Sequence, residues 1–166
     1  RGASATRPDE TTFDQTGPSD LYKGEVNATL TNSLYVTARY AHFKNGFSLT
    51  PRGGLDAMAR LDDNGVWHGT YYNYSTDRPQ DTVSADANYF KGKHELKFGF
   101  GYRKASVASQ SGWPGGVLNL YDGYPDILVQ FTRDQNLKVN GQYWSGFVGD
   151  QISMNRLTIN AGVRWD

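Results

Sequence analysis

Apolar and polar residues alternate with a period of two in six stretches of the chain. In one stretch, Leu96, Phe98 and Phe100 fall on one face, while Lys97 and Arg103 fall on the other. Such alternation predicts β-strands with one apolar and one polar face, whereas no window of about 11 residues or more keeps a helical period. The sequence therefore predicts an all-β protein. The predicted strands cover approximately residues 21–31, 34–45, 81–91, 93–105, 141–152 and 156–166.

The connections between these predicted strands are of two lengths. Tight turns lie near residues 32, 92 and 154, whereas the connections at about 46–80 and 105–140 are long and rich in Gly, Pro, Asp, Asn and Tyr. Those residue types favour turns and irregular structure. Short turns at one end of a sheet and long loops at the other are typical of antiparallel up-and-down transmembrane β-barrels. We therefore expect a barrel wall whose two long loops lie outside the cell.

The number of strands distinguishes a complete barrel from part of one. Residues 66–75 and 127–132 are weaker strand candidates, which either raise the count from six to eight or lie inside the long loops as extensions and hairpins. Eight strands are the usual minimum for a membrane barrel. The last strand ends at Arg164, Trp165 and Asp166 rather than at a terminal aromatic residue. We therefore expect residues 1–166 to form a single, partial segment of a larger barrel.

The apolar faces of the predicted strands carry an unusual share of aromatic residues, which make up 14% of the chain. Most of these rings lie towards the strand ends, as at Tyr40, Tyr102 and Trp144. Tyr and Trp favour the boundary between membrane and water, because the ring is apolar while its polar atom still needs a partner. A soluble β-sandwich also alternates, but large branched residues should dominate its apolar rows. The residues expected to face lipid are Leu96, Phe98, Phe100, Leu157, Ile159 and Val163.

Composition and charge exclude several classes of protein. The 17 basic and 17 acidic residues balance, so no large field of one sign is present to attract nucleic acid. No apolar run is longer than that of residues 127–129, whereas a membrane-spanning helix needs about 20 apolar residues. The chain has no cysteine, which excludes disulfide scaffolds and thiolate metal sites. A disordered chain is not expected either, because disordered segments are poor in aromatic residues.

The sequence contains no motif that indicates catalysis, a cofactor or a metal. The three histidines, His42, His68 and His94, lie far apart and have no metal-ligand spacing. Residues 62–65 (DDNG) lack the spaced acidic pattern of a calcium loop, and Asn-Gly between extended segments favours a hairpin turn. No G-x-S-x-G motif is present. We therefore predict that the protein is not an enzyme, although the separation of paired carboxylates in a glycosidase is invisible in a sequence.

The long loops hold the strongest candidates for binding. Exposed rings beside Asp, Asn and Arg are suited to contacts with sugars, peptides or partner proteins. The other interpretation, which we favour, is that the rings pack on one another and stiffen the loops. The candidate contacts with a ligand or partner are Trp67, Tyr71, Tyr72, Tyr74, Trp113, Tyr121 and Tyr124.

Two parts of the chain resemble the barrel of TonB-dependent outer-membrane receptors, and most of all their Oar-like subgroup. Residues 143–152 (YWSGFVGDQI) and 155–166 (NRLTINAGVRWD) are similar to a family strand "Y-x-x-F-V-Q-D-x-W" that passes through a short turn into "L-T-L-N-x-G-x-R-Y-D". Residues 93–103 (KHELKFGFGYR) are similar to the family strand "H-x-L-K-F-G-x-x-Y-R". The close match covers about a third of the chain.

The sequence also departs from the family pattern. Gly149 replaces the usual Gln, Ile152 stands near the usual Trp, and Trp165 replaces the usual Tyr. Two family hallmarks, the plug domain and the short segment that engages TonB, are missing. We therefore expect a middle portion of such a barrel.

The resemblance implies a protein of the bacterial outer membrane that binds and imports a bulky nutrient with energy supplied through TonB. Its implied partners are outer-membrane lipid, the remainder of the barrel with its plug, the TonB system and an unidentified ligand. Two alternatives stay open. One is a soluble or surface-attached β-sandwich that binds carbohydrate or protein through its aromatic loops, and the other is a complete eight-stranded barrel with a structural or adhesive role.

Overall fold

The computed structural model describes residues 2–70, 72–121 and 127–166, with the backbone only at 117–121, 127, 128 and 130. The chain is all-β, with 72% of it in strands. Two short 3₁₀ turns, Asp9–Thr11 and Pro114–Gly116, complete the regular structure of the described residues. No helix in this described part of the chain is long and apolar enough to cross a membrane. The strands are β1 (Phe13–Thr16), β2 (Ser19–Thr31), β3 (Leu34–Pro51), β4 (Ala59–Leu61), β5 (Trp67–His68), β6 (Asn73–Asp77), β7 (Gln80–Lys91), β8 (His94–Gly112), β9 (Val117–Tyr121), β10 (Ile127–Phe131), β11 (Gln135–Met154) and β12 (Leu157–Trp165).

Eight of the strands form one antiparallel sheet. Six of these follow one another as neighbours in chain order, namely β2, β3, β7, β8, β11 and β12, while β1 pairs with β3 and β6 pairs with both β3 and β8. A second, four-stranded sheet has the order β10-β9-β4-β5, and its β4–β9 pair is parallel. The prediction of an all-β antiparallel fold is therefore confirmed.

Each of the six predicted strands corresponds to an observed strand, but three of the observed strands are much longer. β3 continues to Pro51, β8 continues to Gly112, and β11 begins at Gln135. The predicted loops 46–80 and 105–140 therefore contain strand ends as well as β4, β5, β6, β9 and β10. At the ends of β3 and β8 the apolar row is interrupted by Ser48, Thr50 and Gln110, so the alternation no longer marks a strand. At the beginning of β11 Leu137 and Val139 do alternate with polar residues, and the sequence analysis did not extend the strand to include them.

The two weaker strand candidates have different outcomes. Residues 66–75 contain the short β5 and the beginning of β6, so they are two strands rather than one. Residues 127–132 correspond to β10, which belongs to the smaller sheet. The strands that raise the main sheet from six to eight are instead β1 and β6.

The chain divides into two compact units. The hairpin unit comprises Asp20–Lys44, Pro79–Ser106 and Asn140–Asp166, and the loop unit comprises Arg1–Ser19, Asn45–Arg78 and Val107–Val139. The hairpin unit contains the six-stranded meander with its tight turns. The loop unit contains β1, β4, β5, β6, β9, β10 and one end of each of β3, β8 and β11.

The register of the hairpin unit assembles one continuous apolar face. Val36 lies opposite Ala87, and Ala87 lies opposite Phe98. Directly opposed residues of antiparallel strands have their side chains on the same face, so the alternating apolar rows of neighbouring strands join. The members of this face on β3, β7 and β8 are Leu34, Val36, Ala38, Tyr40, Val83, Ala85, Ala87, Tyr89, Leu96, Phe98, Phe100 and Tyr102.

Two of the tight turns require a left-handed backbone. Gly92, between β7 and β8, has φ of 62°, and Asn155, between β11 and β12, has φ of 50°. Glycine adopts this conformation without a steric penalty, and asparagine is among the few other residues that visit it routinely. The residues at these two turns therefore fit the tight hairpins that the sequence predicts there.

The described residues contain almost no buried apolar core. No leucine, isoleucine, valine or aromatic residue is buried among the residues whose burial is described. In soluble domains these are the residues most often buried. The apolar side chains of this sheet are therefore not covered by its own described residues. The buried residues are Thr11, Thr12, Thr37, Pro51, Ala59, Thr70, Thr76, Ala87 and Pro114.

Candidate functional site

The apolar face of the hairpin unit is open along its length. Phe98 is 44% exposed, Ile159 is 41% exposed and Val163 is 72% exposed. Phe100 and Leu157 are also exposed, and Leu96 is half-buried. A β-sandwich would have placed these side chains between two sheets about 10 Å apart. The structure instead leaves all six of the residues expected to face lipid uncovered or only partly covered.

Polar residues mark one end of this apolar face. Asp81 Oδ1 accepts a hydrogen bond from the Tyr40 hydroxyl at 3.1 Å and lies 2.8 Å from His42 Nδ1. The Tyr22 ring lies 6.3 Å from the His42 ring. Tyrosines beside charged groups are typical of the boundary between hydrocarbon and water.

An ion pair lies at the opposite end, close to the tight turns. His94 Nδ1 lies 2.6 Å from Asp150 Oδ2, and both residues belong to the apolar face by register. Asp150 Oδ1 is buried and has no hydrogen-bond partner within the described part of the chain. A buried carboxylate is costly unless it is paired, so His94 is the group that stabilises Asp150 there. The alternation gave no sign of this pair, because Asp150 interrupts an otherwise apolar row.

The other face of the hairpin unit carries a connected set of polar side chains. Arg39 binds both Glu25 and Asp86, and Asn27 Oδ1 accepts hydrogen bonds from the Tyr35 hydroxyl at 3.0 Å and Thr37 Oγ1 at 2.8 Å. Exposed ion pairs of this kind contribute little stability. Their effect is to hold β2, β3 and β7 in register, with Arg39, Glu25 and Asp86 on the face opposite Phe98.

Two glycines on this polar face make room for neighbouring side chains. A Cβ at Gly99 would overlap the ring of Phe147, and a Cβ at Gly101 would lie 2.5 Å from the Ser145 hydroxyl. Glycine within a strand often marks such a close approach. Gly99 and Gly101 therefore have a packing role.

The loop unit contains a cluster of stacked rings, which we call the aromatic cluster: Phe13, Phe47, Tyr72, Tyr74 and Trp113. The centroid of the Tyr72 ring lies 5.4 Å from that of Phe13, 5.8 Å from that of Trp113 and 6.5 Å from that of Tyr74. Tyr74 in turn lies 5.5 Å from Phe47. These separations are typical of favourable aromatic pairs. The rings therefore pack on one another, as the favoured interpretation of the loop aromatic residues expected.

The structure brings together only some of the predicted loop rings. Tyr72, Tyr74 and Trp113 join the aromatic cluster, whereas Trp67 lies beneath Arg7, whose guanidinium carbon is 5.4 Å from the ring centroid. Tyr71 and Tyr124 lie outside the described residues, as does the side chain of Tyr121. Sequence analysis missed Phe13 and Phe47, because Phe13 precedes the first predicted strand and Phe47 follows the second.

The segment at residues 62–65 forms the hairpin turn that the sequence favoured. Asp62 Oδ1 accepts hydrogen bonds from the amides of Asn64 and Val66, both at 2.9 Å, and Oδ2 lies 2.8 Å from His68 Nε2. Gly65 has φ of 75°. The His68 ring and the two amides lower the pKa of Asp62. Asp62 is thus engaged in closing the turn between β4 and β5.

Each histidine has an aspartate partner, but in the described residues no pair has the third side chain that a metal site would need. The pairs are His42 with Asp81, His68 with Asp62, and His94 with Asp150. Across the ranges that the structure describes, no three histidine, cysteine or acidic side chains converge in a way that could hold a metal ion.

Comparisons with known proteins found no relative of this chain. No family model, no curated protein and no solved structure matches the chain. Evidence for a function therefore comes from the sequence pattern, from the resemblance of residues 93–103 and 143–166 to TonB-dependent receptors, and from the geometry of the two units.

Replacing Tyr72 with alanine should weaken the loop unit, because Tyr72 contacts three rings of the aromatic cluster. Each aromatic pair contributes about 0.5–1.5 kcal/mol, so the three pairs together predict a loss of about 1.5–4.5 kcal/mol in the free energy of opening measured by hydrogen exchange at the β6 amides. Tyr22→Ala, an exposed tyrosine of the hairpin unit, is the matched control. Unchanged protection of β6 in Tyr72→Ala would contradict a packing role for the rings.

Acidification should loosen the turn at Asp62. Because the folded pKa of Asp62 is lowered, its contribution to stability is present above the ordinary aspartate pKa of about 3.9 and is lost as the pH falls through the folded value. We expect protection of the Asn64 and Val66 amides to drop in that acidic range. Asp62→Asn should remove the pH dependence, whereas Asp63→Asn should preserve it. Loss of protection with the same pH dependence in Asp62→Asn would contradict this assignment.

Proposed function

We propose that the hairpin unit is part of the wall of a transmembrane β-barrel in a bacterial outer membrane. We further propose that the protein acts in transport, as a TonB-dependent-receptor-like importer of a bulky nutrient. The observation that carries the first proposal is the continuous, uncovered apolar face of the hairpin unit, bounded by polar residues at both ends. The importer role is supported by the resemblance of residues 93–103 and 143–166.

The length of the apolar face fits the hydrocarbon layer. On β7 the polar residues Asp81 and Lys91 are ten positions apart and enclose the apolar positions 83, 85, 87 and 89. At about 3.3 Å per residue and a tilt of about 35–45°, ten residues span roughly 23–27 Å across a membrane. The apolar band of an outer-membrane barrel is about 25 Å tall. Hydrocarbon of that thickness would cover the whole apolar row.

The two edges of the sheet support a partial barrel rather than a free-standing sheet. In the described pairings β2 pairs with β3 and β12 pairs with β11, so each of these outer strands has one free edge. Within lipid, every backbone N–H and C=O must find a partner, and open sheet edges do not persist there. Further strands of the same barrel would satisfy these edges. Outward-facing Leu157, Ile159 and Val163 make β12 suited to that position.

The alternative functions have less support. A soluble β-sandwich would have to bury the apolar face, yet Phe98 and Ile159 are more than two-fifths exposed. A complete eight-stranded barrel would require β2 and β12 to close on each other, and the described pairings leave both as edges. A role in binding and translocation therefore fits the molecule best.

An arginine placed on the apolar face should impair membrane folding. Ile159→Arg is expected to cost about 2–4 kcal/mol if the residue lies near the bilayer midplane, because a charge would enter hydrocarbon. Thr158→Arg, on the adjacent position and the opposite face, is the matched control and should cost much less. The measurement is the free energy of folding into lipid vesicles, read by heat-modifiable migration. Equal costs for the two variants, or a monodisperse chain in buffer without detergent, would contradict the barrel proposal.

The importer role makes a separate prediction about the gene. We expect the reading frame that encodes these residues to include a plug domain upstream of the barrel, because TonB acts on such receptors through the plug. Sequencing the complete frame checks this point. A frame that encodes a barrel without a plug would contradict TonB-dependent import while leaving the membrane barrel in place.

A further inference from the structure

The loop unit contains a cavity of about 380 Å³ beside the aromatic cluster. Its walls come from β3, β6, β8 and the beginning of β11, together with Leu55 and Asp134. A second cavity of about 670 Å³ shares Tyr74, Ser111, Asp134 and Asn136 with it. The two cavities therefore adjoin at these four shared residues. Ligand sites in proteins commonly measure about 300–1,000 Å³.

Uncharged amide and hydroxyl groups dominate the wall of the smaller cavity. Ser48 lies opposite Ser75, and Ser75 lies opposite Gln110, so the register brings these three side chains to one face. Six polar side chains line the cavity and make no intramolecular hydrogen bond within the described part of the chain. They are Ser48, Thr50, Asn73, Ser75, Gln110 and Asn136.

The chemistry of these groups limits the kind of ligand that fits. Amides and hydroxyls each donate and accept hydrogen bonds, which matches ligands whose own groups do both. The charged residues near the cavities are Asp134 and Arg133, which have opposite signs, and Asp134 Oδ1 already accepts a hydrogen bond from the Trp113 amide at 3.2 Å. Because these two charges balance, neither an anionic nor a cationic ligand would meet a net charge of the opposite sign.

The backbone around the cavity disfavours an extended peptide. Peptides that bind to sheets usually add a strand to a free edge. β6 is paired with β3 on one side and with β8 on the other, so its main chain has no free edge for a further strand. Recognition at this cavity must use side chains.

We propose that this cavity of the loop unit binds a neutral oligosaccharide. Its hydroxyls would be recognised by the amide and hydroxyl side chains of β3, β6, β8 and β11. The inference deepens the proposed function, on which it rests, because it names the class of ligand that the importer would take up.

Gly112 provides a way to disturb the cavity without removing a polar group. A Cβ at Gly112 would lie within van der Waals overlap of Asn73 Oδ1, and Gly112 lies opposite Asn73 in the register. The φ of Gly112 is not in the left-handed region, so alanine is compatible with its backbone. Gly112→Ala should therefore turn the Asn73 amide away from its present position.

The experiment measures binding of the lipid-reconstituted chain to an array of immobilised neutral and uronic-acid-containing oligosaccharides, with an array of unstructured peptides alongside. We expect binding to at least one series of neutral oligosaccharides. Asn73→Leu and Gly112→Ala should each weaken that binding about fivefold or more, since each disturbs a hydrogen bond to the ligand. Asn160→Leu, which removes an exposed amide from the polar face of the hairpin unit, is the matched control and should leave binding unchanged.

Several outcomes would overturn the inference. These are the absence of neutral-oligosaccharide binding by the folded wild-type chain, equally tight binding of acidic oligosaccharides, preferential binding of peptides, or an equal loss in Asn160→Leu. Heat-modifiable migration of every variant in the same vesicles reports membrane folding separately. A chain that folds into vesicles but binds no neutral oligosaccharide would refute the ligand class and leave the barrel proposal standing.

Discussion

Antiparallel register is the constraint on which the structure of the hairpin unit depends. Because directly opposed residues share a face, the pairs Val36–Ala87 and Ala87–Phe98 join three alternating sequences into one apolar face. A slip of one residue in any strand would move its apolar row to the polar side. The tight turns at Gly92 and Asn155 fix that register locally. The polar contacts of Arg39 with Glu25 and Asp86, on the opposite face, also hold the strands in this register.

The two units solve different physical problems. In the hairpin unit, large apolar side chains remain uncovered on one face, while Arg39, Glu25 and Asp86 lie on the other. The loop unit is organised instead by stacked rings, buried threonines and a polar cavity. Tyr74 of β6 belongs to the aromatic cluster and also lines the cavity, beside Asn73 and Ser75 of the same strand. Under the proposed function, the hairpin unit would anchor the protein in the membrane and the loop unit would recognise the ligand.

The ion pair of His94 and Asp150 is an exception to the division of faces. Asp150 lies between Val148 and Ile152 on the apolar side, with one carboxylate oxygen buried and without a partner in the described residues. Its position beside the tight turns places it at the border of the apolar face, where a charge costs less than it would in the middle. Alternation alone would have assigned an apolar residue there. At this strand end, the contact between His94 and Asp150 interrupts the period of two in the apolar row.

The sequence by itself determined the all-β class, the six strands of the meander and the positions of their turns, because a period of two and turn residues such as Gly92 and Asn155 are local properties. It also indicated which side chains of β8 and β12 share the apolar face. Only the tertiary structure decided that β3 and β8 continue into the long connections, since Ser48, Thr50, Ser109 and Ser111 interrupt the apolar pattern there. The beginning of β11 alternates through Leu137 and Val139, but so short a pattern did not by itself connect it to the strand that follows. The tertiary structure also decided that Phe13 and Phe47 join Tyr72 in the aromatic cluster and that a cavity lies beside them. Those residues lie up to about a hundred positions apart along the chain, and contacts at such separations follow from strand pairing, which no local pattern encodes.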